Sequence, residues 1–236
     1  MADTIRIKAS QSMANYRMPT SFLIRESYPL PPFSTVVGMI HSVCGFDSWR
    51  PMDVSVQGTT RGVTSDLFVR YSFGNQKFEA GRHQIAVPMD AEKSVHFGVS
   101  RGIAHTELLV DVELVLHVRP ERDEDVEAIL AGLNAPRVYP SLGRYEDLLD
   151  ISEVKVVSTE EQEEVAAKHT IFVPCKLLTG SDNEPKGTVY KLHKEYEYDA
   201  KKRRRWKEVI DCRLFGRGDT LYDFEADEDG YPVAFA

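Results

Sequence analysis

The stretch Tyr28-Pro29-Leu30-Pro31-Pro32-Phe33-Ser34-Thr35-Val36-Val37-Gly38-Met39-Ile40-His41-Ser42-Val43-Cys44-Gly45-Phe46 constrains the chain more than any other. Its prolines fix their own φ and push each preceding residue out of the helical region, so the first half is stiff and extended. Ser34 and Thr35 then supply N-cap hydroxyls. Val36, Val37, Ile40, Val43 and Cys44 fall at i, i+1, i+4, i+7 and i+8, one apolar face of a helix. Gly45 fits a left-handed stop. Gly38 costs about 1 kcal/mol against alanine inside a helix, which implies close approach of another backbone. A helix start carries unpaired N–H groups and a partial positive charge. The residues alone allow two readings: a buried helix with a proline-rich lead-in, or the same helix with a phosphate site at its N-terminus.

Before this helix, residues 4 to 9 alternate, with Ile5, Ile7 and Ala9 on one face and Thr4, Arg6 and Lys8 on a basic second face, a half-buried strand. A polar connector from Ser10 to Phe22 follows and contains Tyr16 and Arg17. After the helix, Asp53 to Gly62 reads as a turn-rich strand region, and Leu67, Val69, Tyr71 and Phe73 alternate as a clear strand. Residues 74 to 106 differ in kind. They are glycine-rich and carry Lys77, Arg82, His83, Lys93, His96, Arg101 and His105. A connector of this length is functional or mobile, and it reads as a β-hairpin leaving the core. Glu107 to Val118 is the strongest strand, apolar at every second position from Leu108 to Val118. Asp123, Glu124 and Asp125 open a second helix at its positive end, with Val126, Ile129, Leu130 and Leu133 as its apolar stripe. A turn at Tyr139 to Leu148 leads to a last core strand near Ile151 to Val157.

The resulting order, β-α-β-insertion-β-α-β, predicts an α+β fold: a ferredoxin-like core over residues 1–157, with a hairpin insertion at about 74–106. Both helices then lie on one face of an antiparallel sheet, and the other face is left free. RNA-recognition domains of this topology use that face, but the chain carries no aromatic RNP1 motif. Residues 158–236 read as a smaller β element. It has one strand at Thr170 to Leu178 and a hairpin of Thr188 to Tyr198 with Arg203 to Leu214. In that hairpin Trp206, Ile210, Cys212 and Leu214 share a face, opposite Arg203, Arg205 and Lys207. The basic face is either a solvated edge or a nucleic-acid contact.

Charge and cysteine usage narrow the function. The formal net charge is −8, from 29 Lys+Arg against 37 Asp+Glu, which argues against a general nucleic-acid binder. The distribution is uneven: Glu160, Glu161, Glu163 and Glu164 form one acidic cluster, Asp219 to Asp229 another, and Lys201 to Lys207 a basic run between them. Such asymmetry implies separate faces for separate partners. Cys44, Cys175 and Cys212 form no CxxC pair, so reduced thiols in a cytosol are expected, with no zinc and no other cofactor. No apolar run reaches transmembrane length, and Met1 to Ile7 reads as a strand, not a signal peptide.

Two of these stretches carry a family resemblance. Tyr28 to Ile40 resembles the PLPPxSTxxGxI signature of the Cas-five family of CRISPR-associated proteins, within the RAMP superfamily, and Leu142-Gly143-Arg144-Tyr145-Glu146-Asp147 resembles its LGRxED element. The resemblance covers roughly residues 1–157 well, the rest loosely, and is similar to type I-B-like members. It implies a subunit that caps one end of the Cascade complex. Such a subunit grips the 5′ handle of CRISPR RNA and packs against the backbone subunits and the large subunit, in the cytoplasm and with no membrane partner. A β-hairpin thumb extends over the guide. The implied RNA-binding residues are Tyr16, Arg17, Ser34, Thr35, Gly143 and Arg144, joined by Lys77, Arg82 and Arg101 of the thumb. Target DNA is a further implied partner of the assembled complex.

An enzymatic alternative comes from type I-C relatives, which cleave CRISPR RNA without metal. That chemistry needs a His, Lys or Tyr near a ribose 2′-OH. His41, His83, His96, His105 and His117 are the candidates, and no tyrosine-lysine-histidine constellation stands out. No spacing suits a metal site. The resemblance therefore implies a non-catalytic subunit, with a metal-independent endoribonuclease as the alternative and a protein-only scaffold as a third class.

Overall fold

The computed structural model describes residues 3–21, 24–89, 92, 95–179, 183 and 187–236; Phe22 and Lys93 lie outside them. The elements are, in order, β1 (Thr4–Ala14), β2 (Ile24–Arg25), α1 (Phe33–Cys44), β3 (Met52–Lys77), β4 (Ile85–Pro88), β5 (His96–Pro120), α2 (Asp123–Asn134), β6 (Asp150–Val157), β7 (Thr159–Ala166) and β8 (Thr170–Pro174). After a 3₁₀ turn at Cys175–Leu178 come β9 (Val189–Leu192), β10 (Tyr196–Tyr198), β11 (Arg204–Trp206), β12 (Ile210–Phe215), β13 (Thr220–Asp227) and β14 (Pro232–Val233). The fold is α+β with mostly antiparallel sheets. The main sheet runs β6-β1-β5-β3-β8-β12-β9, and a three-stranded sheet runs β14-β13-β7.

The two helices cover one face of β1, β3 and β5. Val36, Val37, Ile40 and Val43 of α1 and Val126, Ile129 and Leu133 of α2 share a core with Ile5, Ile7, Val54, Val56, Leu114, Leu116 and Val118. Gly45 ends α1 in the left-handed region at φ 67°. The helices approach closely at Gly132, not at Gly38. A Cβ on Gly132 would lie 2.8 Å from the Cys44 Cα, whereas one on Gly38 meets nothing within 4 Å. The cap also differs from expectation. Ser34 and Thr35 lie inside the first turn behind Pro32, and no side chain caps the helix. The Ser34 N–H donates to the His193 carbonyl, and the Thr35 and Val36 N–H groups to the Pro32 carbonyl. The N–H groups expected to receive a phosphate are therefore taken.

The opposite sheet face is not left free. Residues 225–236 fold across it: Gln57 Nε2 donates to the Pro232 carbonyl, the Ala234 N–H donates to Ser55 Oγ, and Arg119 pairs with Glu225. Arg6, expected on a solvated basic face, is 1 % exposed. It meets Asp227 at 2.6 Å, Asp229 at 2.6 Å and Glu153 at 2.8 Å. Burial opposes its charge, yet hydrogen bonds to these three acids hold its pKa above the ordinary arginine value. His117, beside Arg6 in the β1–β5 register, meets the same Asp227 oxygen at 3.1 Å. Burial holds the His117 imidazole neutral against the pull of Asp227. A proton on Nε2 then serves Asp227 and leaves Nδ1 without a partner among the described residues.

The hairpin is longer than expected. The strand regions at 53–62 and 67–73 are one strand, β3, and Glu107 to Val118 is the inner half of β5. They pair from Met52↔Pro120 outward to Lys77↔Phe97. The ladder skips the Arg61/Asp111 pair without changing register, Thr60↔Val112 being followed by Gly62↔Val110, and its register shift comes farther out, between Phe73 and Lys77. Asp111 there has φ 49°. Leu109 on the outer side of this gap, as well as Val112 and Leu114 on the inner side, reaches the core. Beyond it the hairpin leaves the sheet as an arm with both faces largely exposed.

The C-terminal strands continue the main sheet. β8 pairs with β3, β12 with β8 and β9 with β12. The strand expected at Thr170 to Leu178 stops at Pro174 and becomes 3₁₀. The expected hairpin is interrupted on both sides, so that β9 pairs β12 and β10 pairs β11. Arg203 and Arg205 both pair with Asp199 in its turn, and Lys207 pairs with Glu195, so each of these three cations has a carboxylate partner within the hairpin. No helix among the described residues is long and apolar enough to cross a membrane.

Candidate nucleic-acid interface

The glycine-arginine element is a tight loop organised by Asp147. This carboxylate is 2 % exposed and accepts the Asn15 N–H at 3.0 Å, the Arg144 N–H at 2.9 Å and the Arg144 guanidinium at 2.6 Å. Gly143 has φ 110°, and a Cβ there would lie 2.8 Å from the Asn15 carbonyl oxygen, so the turn requires glycine. Gln11 Nε2 donates to the Leu142 and Asp147 carbonyls and locks the loop onto β1. Arg144 also meets Glu146 at 3.1 Å. The hydrogen bond to Asp147 raises the Arg144 pKa, and its charge is already partnered in the chain alone.

Tyr16 does not reach the surface. Its ring is 1 % exposed, and its hydroxyl donates to Gln11 Oε1 at 2.6 Å. Burial first, and the nearby Asp147 charge second, push its pKa well up. A ring so enclosed offers no face to a base. Arg17, the next residue, is exposed. Arg25 lies near it: burial, then the positive charges of Arg17 and Arg144, lower the Arg25 pKa. Three guanidiniums thus gather where the connector, β2 and the glycine-arginine loop meet, an arrangement that an anion relieves.

Arg17, Ser34 and Thr35 line one large cleft of about 870 Å³. One wall is the start of α1 and the loop after it, with His41, Phe46 and Trp49; the other is the β9–β11 region, with Lys191, His193, Lys194, Tyr196, Tyr198, Arg204 and Trp206. Gly38 lines it too, and the absence of a side chain keeps this part of the cleft open. The volume falls in the range of ligand sites, about 300–1,000 Å³. The second wall escaped the sequence reading. Its hairpin was legible, but nothing in the pattern says that it folds back against α1. The contact of Ser34 with His193 is what brings it there.

The remaining expected residues lie elsewhere. Lys77, Arg82 and Arg101 are exposed on the arm, and Arg82 pairs with Glu79 at 3.3 Å. The candidate histidines do not converge. His83 is buried in the arm and accepts the Glu79 N–H, His117 is buried under the C-terminal strands, His105 is exposed on the arm, and His96 is half-buried at the arm's β4 edge. Only His41 lines the cleft, stacked on Trp49.

Comparisons with known proteins place this architecture. A chain of a CRISPR RNA-guided surveillance complex superposes with a TM-score of 0.55 at 17 % identity, covering 98 % of this chain and 94 % of that one. A crystal structure of a Cas protein (TM-score 0.48, 13 % identity, 98 % of each chain) is also similar. So is that of a CRISPR protein from Archaeoglobus fulgidus (TM-score 0.41, 11 % identity, 98 % and 97 % covered). No curated protein matches the chain in sequence. The first of these likenesses shows that the chain shares the fold of that complex's chain. The family model described as CRISPR-associated protein (Cas_Cas5) matches residues 4–210. The chain belongs to this family, the Cas-five family, as its two motifs implied.

Proposed function

We propose that this chain is a non-catalytic subunit of a CRISPR surveillance complex that binds and caps the 5′ handle of CRISPR RNA and docks backbone and large subunits. The observation that carries this reading is the cleft itself. It gathers Arg17, Ser34 and Thr35, all implied by the family resemblance, with aromatic rings and further cations. Rings beside cations suit single-stranded RNA, whose bases stack while its phosphates meet charge. The strand order β6-β1-β5-β3, with α1 and α2 as crossovers, supports reading residues 1–157 as a ferredoxin-like palm. The arm, with Phe73 and Ile103 exposed beside Lys77 and Arg101, supports a thumb that touches neighbouring subunits and guide. The endoribonuclease alternative has one observation in its favour: burial lowers the His41 pKa and keeps it in the neutral form of a general base, inside the cleft.

The test is a gel with end-labelled CRISPR repeat RNA in EDTA, run native and denaturing. A shifted, intact RNA is expected, with binding that weakens steeply as salt rises. Arg17→Ala is expected to weaken it by about 1–3 kcal/mol if the contact is charge-assisted. Arg144→Ala should both weaken it and lower the melting temperature, because Asp147 loses its partner. A discrete cut makes the endoribonuclease the right reading. Wild-type affinity in both variants removes the site assignment.

A further inference from the structure

The chain has two tryptophans, Trp49 and Trp206, and both line the cleft, one on each wall. Each is backed by a histidine ring. His41 stacks on Trp49 at 5.3 Å and 29°, and His193 on Trp206 at 4.7 Å and 3°. Tyr196 meets the edge of Trp206 and carries Arg204 over its own face at 4.0 Å. Backing on one face and an edge contact fix the indole in place, yet Trp206 stays 44 % exposed. A large ring held rigid and left half in solvent contributes little to folding and is suited to receive something flat.

Charge decides what that is. In a chain of net charge −8, the cleft is lined by Arg17, Lys191, Lys194 and Arg204 against one carboxylate, Asp47. Lys191 and Lys194 pair with Asp211 and Asp53. Arg17 and Arg204 have no carboxylate partner among the described residues. Indole plates beside guanidiniums that no carboxylate neutralises match a base with its phosphate. An apolar protein segment would use the plates and leave the guanidiniums unpaired.

We propose that this cleft is a nucleobase-stacking site for unpaired RNA, with Trp206 and Trp49 as plates and Arg17 and Arg204 as phosphate partners. The proposal rests on the RNA-binding reading above and assigns the bases to residues outside the family motifs. The plates are fully formed in the chain alone, so no assembly partner is required.

The tryptophans report on the site directly. The probe is a ten-nucleotide unstructured RNA of mixed adenosine and uridine, followed both by its own fluorescence anisotropy and by intrinsic tryptophan emission. Binding is expected to quench the emission, and Trp49→Phe, which leaves Trp206 as sole emitter, should keep the quench. Trp206→Ala should weaken binding roughly 5- to 150-fold, the worth of one stacked base. Trp206→Phe should restore most of it, which a loss of folding could not produce. Binding in anisotropy with unchanged emission and unaffected Trp206→Ala overturns the stacking site and leaves the RNA-binding reading standing. No binding in anisotropy overturns both. Equal quenching by inorganic polyphosphate, which has no bases, or quenching only on adding a protein subunit without RNA, overturns the base assignment.

Discussion

β3 and β5 hold two regions that share one hydrogen-bonded ladder and almost nothing else. Inside the gap at Arg61 and Asp111, the pair is sealed. Val54, Val56, Leu116 and Val118 are all fully buried, with helices on one side and residues 225–236 on the other. Outside it, Phe73 is 76 % and Ile103 77 % exposed. Backbone pairing resumes in the same register beyond the gap, so pairing is not what distinguishes the two halves. An isolated two-stranded hairpin is marginal in water. The palm half is held by burial on both faces, and the arm half has only its ladder and the short flanking strands β2 and β4. One strand pair can therefore serve as core at one end and as a reaching element at the other.

The contrast can be broken by mutation. The largest effect is expected at Asp227, whose carboxylate joins Arg6 and His117 under the palm. Asp227→Asn should cost about 3 kcal/mol in urea unfolding, because it removes the buried carboxylate that Arg6 and His117 share and leaves Arg6 only the more exposed Glu153 and Asp229. Lys77→Ala on the arm should stay within about 0.5 kcal/mol in the same assay. A loss as large at Lys77 would mean that the arm is part of the cooperative core. Next come two glycines. Gly132→Val drives a side chain into the Cys44 backbone and should cost about 1–3 kcal/mol. Gly102→Val on the arm meets open space and should leave the melting temperature unchanged or raised.

The smallest expected effect is on pH dependence. Burial lowers the His117 pKa, so the unfolded chain binds the proton that the folded chain refuses. Stability should then fall as pH drops through about 6.5, the unfolded histidine value. For Asp227, burial favours the neutral acid, but hydrogen bonds from His117, the Tyr231 N–H and Arg6 hold the carboxyl well below the usual range. Its contribution is present above about pH 4 and is lost on further acidification. Urea midpoints at pH 7.5, 6.5 and 5.5 should decline in the wild type and decline less in His117→Gln. An equal decline in both would place the titration elsewhere.

The parts legible in sequence were those set by local chemistry. α2 runs from Asp123 to Asn134, as its acids and its apolar stripe implied, and the apolar face of α1 is buried residue for residue. Arg17, Ser34 and Thr35 do meet at one cleft. What escaped depends on partners distant in sequence. Alternation marked Leu67–Phe73 and Glu107–Val118 as strands, but period alone does not say that they belong to one ladder. The helix cap was assigned to Ser34 and Thr35 because hydroxyls there usually serve, and the His193 carbonyl serves instead. Tyr16 and Arg144 came from the family resemblance, which says nothing of their neighbours: Gln11 holds the buried Tyr16 hydroxyl, and Asp147 pairs with Arg144.

The ion pair between Arg6 and Asp227 closes across 221 positions of chain. At about 5–20 residues per second of synthesis, roughly 10–45 s separate the two as they leave a ribosome. During that interval β1 carries a guanidinium that cannot be enclosed without its acids, and α1 lacks the carbonyl that caps Ser34. The palm therefore finishes last-in, first-needed: the opening strand waits, solvated, for the final segment to arrive. The Arg6 pair with Asp227 cannot close before position 227 has been made, and a nascent chain stalled short of it is expected to be open to protease at β1.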